Sequence, residues 1–252
     1  MKPYHAIPLE DCGEPLVAIP PDTFAMVDPH PYQQLGAPYG GQSPYRLRAG
    51  VLEALQEAQR WLQRPWPQWR IQIFDAYRPI AVQQFMVNHA LGELRQQRYP
   101  QATDLTEAQQ RELMADVIQF WAVPSLDPRT PPPHSTGAAV DISLVDAEGH
   151  PIPMGSPIDE ISDRSWPNYF ANHPDPETQR FHHHRQILNQ VMASAGFCRH
   201  PQEWWHFSLG DQLWAWLQRE ADPSQPVIAR YGCAEPEIPT PLAPIGPGKT
   251  PL

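Results

Sequence analysis

The stretch HSTGAAVDISLV, residues 134–145, decides the reading of this chain. From residue 138 onward, apolar side chains fall at Val140, Ile142 and Leu144, with Asp141 and Ser143 between them. That period of two predicts a strand with one apolar face and one polar face over residues 138–145. Gly137 supplies a turn ahead of the strand, so His134 on the loop and Asp141 on the strand can converge on one point. A neutral imidazole nitrogen and a carboxylate oxygen are both good zinc donors. Taken alone, either residue has an ordinary reading: a surface or structural histidine, and an aspartate that caps a turn or pairs with an arginine.

Immediately upstream, SLDPRTPPP is too rigid and turn-prone for a helix or a central strand. Before it, residues 106–121 (TEAQQRELMADVIQFW) read as a helix, with Thr106 and Gln109 spaced as a capping box. Pro79 opens another helical stretch reaching about Tyr99. Residues 69–77 (WRIQIFDAY) alternate around Ile71 and Ile73 as a half-buried strand, and residues 51–64 carry apolar side chains at 51, 55, 58 and 62, a helical spacing. Residues 1–48 predict an extended wrap with short strands. Downstream, residues 180–195 read as a helix stopped by Gly196, and residues 199–209 (RHPQEWWHFSL) as a further strand. Beyond Glu235 the chain is mostly Pro, Gly, Thr and Ala. The expectation is therefore a single α+β domain over residues 1–235, with a small antiparallel sheet flanked by helices, and a Pro-rich tail over 236–252.

Composition narrows the function classes. Hydrophobic residues at 41% are a globular value, while 33 prolines in 252 residues argue against a simple helical bundle. An excess of 28 acidic over 18 basic side chains disfavours nucleic acid as a partner, because phosphate contacts need a basic surface. Cys12, Cys198 and Cys233 form no CxxC pair, so inert, partly buried thiols are expected rather than a disulfide or thiolate metal site. No apolar run reaches the length of a membrane span, and residues 1–16 lack the apolar core of a signal peptide, so a cytoplasmic protein without a membrane partner is expected.

The second informative segment is Glu203-Trp-Trp-His206. With His206 on a strand, His134, Asp141 and His206 would give three protein ligands and an open fourth position, the pattern of a catalytic zinc site. Glu203 cannot share the face of His206 on a regular strand, because residues three apart point oppositely. It must lie at the start of the strand, after Pro201, where a turn or bulge re-aims it. Beside the metal it could serve as acid and base, with Trp204 and Trp205 walling the site. The triplet His182-His183-His184 lies on a helix, where consecutive residues diverge, and reads as a solvated turn.

These segments together resemble one family. Residues 134–141 fit the HxxGxAxD part of an SxHxxGxAxD signature, and residues 203–206 fit EWWH. Asp75-Ala-Tyr-Arg78-Pro79 is similar to a DxYRP segment, and Met154-Gly155-Ser156 followed by Asp159 is similar to MGxxFD, with Ile158 in place of Phe. The set resembles the metallopeptidases that include D-alanyl-D-alanine dipeptidases of the vancomycin-resistance type and their D,D-carboxypeptidase relatives, over roughly residues 25–215. The resemblance implies one zinc ion (Zn2+) per chain on His134, Asp141 and His206, Glu203 as general base and acid, and Arg78 stabilising the oxyanion. It implies that Asp159 receives the α-ammonium of a small dipeptide substrate, D-Ala-D-Ala, cut to two D-Ala. Read by residue alone, Arg78 could be a strand-end salt bridge and Asp159 an exposed loop acid. Pro132 stands where the family has serine, a departure that bears on substrate preference and not on the metal ligands. The alternatives are a D,D-carboxypeptidase acting on peptidoglycan peptides and a non-catalytic zinc or peptide-binding protein of the same fold.

Overall fold

The computed structural model describes residues 2–235; the tail expected at 236–252 lies outside the described residues. Helices and strands alternate along the chain as an α+β arrangement. The strands are β1 (Leu16–Ala18), β2 (Ala25–Met26), β3 (Arg46–Arg48), β4 (Arg70–Asp75), β5 (Ala139–Val145), β6 (Cys198–Arg199) and β7 (His206–Ser208). The helices are α1 (Pro31–Gln34), α2 (Ala49–Gln63), α3 (Ile80–Arg98), α4 (Glu107–Phe120), α5 (Pro176–Ser194) and α6 (Gln212–Ala221).

Five strands form the main sheet in the order β2-β4-β5-β7-β6, and β1 pairs with β3 in a separate antiparallel ribbon. The main sheet departs from the antiparallel expectation at one edge, where β2 runs parallel to β4. Its centre is β5, antiparallel to both neighbours. Val140, Ile142 and Leu144 pack with Ile71 and Ile73 against Val51, Leu55 and Leu62 of α2 and Ile187, Leu188 and Val191 of α5. Burying these branched side chains contributes on the order of 2 kcal/mol each, which fixes the sheet on its two helices. The other face of β5 carries Asp141 and looks toward a second apolar cluster built by α3, α4, Tyr32 and Trp121.

Register decides which groups share that second face. Ile73 pairs with Ile142, yet Asp75 pairs with Asp141, so the ladder shifts by one residue at Phe74. In an unbroken strand Asp75 would lie on the apolar face with Ile71 and Ile73. The shift turns it to the face of Asp141. Asp141 in turn stands opposite His206 of β7, which sets Asp75, Asp141 and His206 in one row across three strands.

Two elements differ in extent from the sequence expectation. Helix α5 begins at Pro176 because Asp175 caps it, accepting from the backbone N–H groups of Glu177 and Thr178. The strand expected at 199–209 is two short strands that pair with each other, Cys198 with Ser208 and Arg199 with Phe207, around a turn. The capping box of α4 is present, with both Thr106–Gln109 hydrogen bonds formed.

Candidate metal centre and active-site cleft

His134 sits on the short 3₁₀ turn Pro133–Thr136, which Gly137 closes with φ of 70°. A side chain at Gly137 would be strained in that left-handed conformation and its Cβ would collide with Leu16. The turn is fastened to the segment after β4: Ser135 Oγ donates to the Arg78 carbonyl at 2.8 Å, and the Arg78 N–H donates to the His134 carbonyl at 3.3 Å. His134 Nδ1–H donates to the Ala76 carbonyl at 2.7 Å, which leaves Nε2 as a lone pair facing the sheet.

That lone pair meets two more acceptors. His134 Nε2 is 3.2 Å from His206 Nδ1 and 3.2 Å from Asp141 Oδ2, and His206 Nδ1 is 3.0 Å from Asp141 Oδ1. Ser208 donates its hydroxyl proton to Asp211 Oδ2 at 2.8 Å, so its oxygen accepts from His206 Nε2–H at 3.3 Å and Nδ1 of His206 is left unprotonated. Burial also pushes the His206 imidazole below its ordinary pKa, toward the neutral form, against the pull of Asp141. Asp141 is held well below the usual carboxylate range: burial opposes this, but its close contacts with the His134 and His206 rings prevail.

Three buried acceptor atoms therefore face one another with no proton among them, a donor set that a cation would complete. Donors about 2.0–2.1 Å from a tetrahedral zinc ion stand roughly 3.3 Å apart, close to the separations found here. The residues fit a bound zinc ion. The Ser208–Asp211 relay behind His206 and the Ala76 carbonyl behind His134 are the supports that orient metal-binding imidazoles. Among the described residues a second cluster, Asp146, Glu148 and His150, has donor atoms within 4.8 Å of one another, but it is an exposed turn in which Asp146 Oδ1 accepts from the backbone N–H groups of the other two. The triplet His182-His183-His184 lies elsewhere, on α5, with His184 bonded to the Pro153 carbonyl.

Glu203 lies in the turn between β6 and β7, buried, with Oε2 3.8 Å from His206 Nδ1 and Oε1 3.5 Å from His200 Nδ1. The break in the strand is what brings it to the metal-facing side. Burial, followed by the charges of Asp141 and Asp159, pushes its carboxyl well above the ordinary value. Trp205 lines the cleft, whereas Trp204 turns away, nearly perpendicular to it, and donates Nε1–H to Ser156 in the core. Only one of the two tryptophans expected to wall the site does so.

Arg78 is buried beside the row of acids. Its Nε donates to Asp75 Oδ2 at 2.9 Å, Nη1 to Gln83 Oε1 at 2.9 Å, and Nη2 to the Tyr32 hydroxyl at 3.2 Å and Asp141 Oδ2 at 3.3 Å. One Nη1–H is left over. Asp159 is in contact with the same group: Tyr32 donates its hydroxyl proton to Asp159 Oδ2 at 2.7 Å. Asp159 holds φ at 67°, a left-handed conformation uncommon for a residue with a side chain. Burial and the nearby Asp141 charge push its carboxyl up to about 7. The loop that carries it is tied down by Arg185 of α5, fully buried, which donates to the carbonyls of Met154, Trp166 and Arg164 and to Ser156 Oγ.

All six residues singled out in the sequence line one cleft, together with Lys2, Tyr4, Trp121, Pro133, His200 and Trp205. Pro132, in place of the family serine, is buried behind Pro133, with its carbonyl accepting from the Ser135 N–H. Sequence reasoning missed Tyr32, Lys2, Tyr4 and the Ser208–Asp211 relay. His30-Pro-Tyr32 offered a faint signal as a polar aromatic pair inside a turn-rich stretch, but Lys2 offered none.

A buried trio of two histidines and an aspartate with a glutamate alongside forms a candidate metal centre on a mixed sheet. The chain belongs to the D-ala-D-ala dipeptidase family, whose profile matches residues 25–224. It is 51% identical over 241 residues to a D-alanyl-D-alanine dipeptidase of Synechocystis sp., covering 93% of this chain and 98% of that protein. Over 78 residues it is 41% identical to a D-alanyl-D-alanine dipeptidase of Escherichia coli, covering 30% and 37% of the two chains. Among solved structures it is similar to a mutant of the vancomycin-resistance D,D-pentapeptidase VanY in complex with Zn(II), at a TM-score of 0.41 and 16% identity over 73% of this chain and 82% of that one. Among the described residues, no helix is long and apolar enough to cross a membrane. The cysteines are unpaired; Cys198 and Cys233 are half-buried as expected, but Cys12 is exposed.

Proposed function

We propose that this chain is a zinc-dependent dipeptidase that hydrolyses D-Ala-D-Ala to two molecules of D-Ala. The observation that carries the reading is the set of unprotonated donor atoms on His134, Asp141 and His206, 3.0–3.2 Å apart, with the Glu203 carboxylate beside them. These three residues would hold the ion. When bound there, zinc supplies Lewis-acid activation of water and of the scissile carbonyl.

The remaining steps belong to the chain's own side chains. Glu203 takes a proton from the attacking water and returns it to the departing amine; its raised pKa suits the second task. The uncommitted Nη1–H of Arg78 is the donor for the oxyanion that develops on the former carbonyl oxygen, and because the guanidinium is already fixed, no reorganisation accompanies that charge. Asp159, presented by a strained backbone and oriented by Tyr32, receives the substrate's α-ammonium. An acid there selects substrates with a free amino group next to the scissile bond, which favours dipeptides over the ends of longer peptides. The expected cellular setting is the cytoplasm.

The test compares release of D-Ala from free D-Ala-D-Ala and from a pentapeptide ending in D-Ala-D-Ala, for the wild type and for Glu203→Ala. Hydrolysis of the dipeptide alone, lost in Glu203→Ala with zinc content unchanged, is the expected result. Comparable release from the pentapeptide would make the protein a D,D-carboxypeptidase. Stoichiometric zinc without turnover on either substrate would make it a binding protein.

A further inference from the structure

The mechanism leaves one charge of the substrate unmatched. A dipeptide carries an ammonium at one end and a carboxylate at the other, and burying a carboxylate without a cation or donors is costly. Asp159 serves the ammonium. Besides the histidines, the described residues lining the cleft include two cations, Arg78 and Lys2. Arg78 has spent four of its five N–H groups on Asp75, Gln83, Tyr32 and Asp141. Its remaining donor belongs to the oxyanion.

Lys2 is differently placed. It lies just ahead of the 3₁₀ turn Pro3–Ala6, whose Tyr4 is buried in the wall of the same cleft. The ammonium is anchored once, donating to the Gln119 carbonyl at the end of α4 at 3.2 Å, and keeps two protons unspent. Among the described residues, no carboxylate pairs with it within 4.0 Å. Glu203 and Asp159 line the same cleft. Among the described residues lining the cleft, Lys2 is therefore the cation with donors to spare.

The carboxylate must fall near Glu203, inside the cleft that Lys2 also lines. Glu203 delivers a proton to the leaving nitrogen, and in a dipeptide the terminal carboxylate is only two bonds from that nitrogen. We propose that Lys2 binds the substrate's terminal carboxylate, so that the segment around residues 2–6 selects peptides ending one residue beyond the scissile bond. This deepens the dipeptidase reading and rests on it.

The test separates charge recognition from scaffolding by altering the substrate as well as the protein. Steady-state kinetics of Lys2→Met are measured on D-Ala-D-Ala and on its C-terminal amide, which lacks the negative charge. The expected result is a KM for the acid raised roughly 10- to 100-fold, as loss of a charge-assisted hydrogen bond implies, with kcat nearly unchanged. On the amide, wild type and Lys2→Met should agree within about threefold, and Lys2→Arg should recover most of the affinity for the acid. Equal losses on acid and amide would mean that Lys2 only props the N-terminal turn, and an unchanged KM would remove the contact altogether. Wild-type protein inactive on every D,D-dipeptide would overturn the reading of the site rather than this contact. In that case calorimetric titration of zinc-loaded protein with acid and amide decides: tighter binding of the acid, abolished in Lys2→Met, upholds the contact, and equal affinities overturn it.

Discussion

Asp75 and Arg78 act as one unit, with Asp75 Oδ2 lying 2.9 Å from Nε and 2.7 Å from Nη2 of the guanidinium, both groups almost wholly shielded from water. His30 Nε2 contacts the other oxygen of Asp75 at 3.1 Å, so this carboxylate is held from both sides. The pair aims the arginine; the arginine aims at the reaction. Asp75→Asn should therefore lower kcat about 100-fold while zinc content stays at one per chain, because the oxyanion donor loses its fixed orientation. Chemical denaturation should show a loss of about 3 kcal/mol, the usual consequence of stranding a buried charge. Unchanged kcat in a folded variant would remove Arg78 from the proposed chemistry.

Metal affinity should depend on a hydroxyl that never touches the metal. Ser208 accepts from His206 and donates to Asp211, which fixes the ring with Nδ1 bare. Ser208→Ala should weaken zinc binding roughly 10- to 100-fold, measured by competition with a chromophoric chelator. At saturating zinc the variant should recover most of its turnover.

A pH dependence follows from Asp159. Its carboxyl is pushed up to about 7 in the folded, metal-free protein, against an ordinary value of 3.8. Between those values the native state keeps a proton that the unfolded chain has released, so this group makes stability fall as pH rises from about 4 to 7. Below that window both states are protonated, and above it both are ionised. Urea midpoints of chelator-treated protein at pH 5 and pH 7.5 should thus differ less in Asp159→Asn than in the wild type. An identical pH dependence in both proteins would show that Asp159 ionises normally.

Arg185 offers a test of the loop rather than of the cleft. It is a buried cation surrounded by carbonyls, and burial pushes its guanidinium down to about 9. Arg185→Met leaves the carbonyls of Met154, Arg164 and Trp166 without that partner, and should cost about 3 kcal/mol or more. Because Asp159 rides on the same loop, KM for the dipeptide should rise more steeply than kcat falls.

Much of the site was legible because its parts are local. The period of two around Val140 and Ile142 placed Asp141 on the polar face, and the parity of residues 203 and 206 required the turn that the structure contains. The helical spacing of residues 51–64 held for the same reason. What could not be read depends on partners far away in the chain. Residues 25 and 26 form a strand only because β4 lies beside them, so nothing local announced a parallel edge. Tyr32 reaches Asp159 across 127 positions, and of Trp204 and Trp205, both in the core, only Trp205 also lines the cleft, by neighbours that their sequence does not name.

The register shift at Phe74 has one more implication. Keeping that residue but pairing it with Asp141, and Asp75 with Val140, would give a regular ladder between β4 and β5, an apparent improvement by the standards of sheet geometry. It would also rotate Asp75 into the oily layer among Ile73 and Ile142 and leave Arg78 without its anchor. The irregular strand works as a change of gauge between two tracks: on one side of Phe74 the chain is written for packing, on the other for chemistry. A designer who idealised this backbone would obtain a sounder sheet and an idle enzyme.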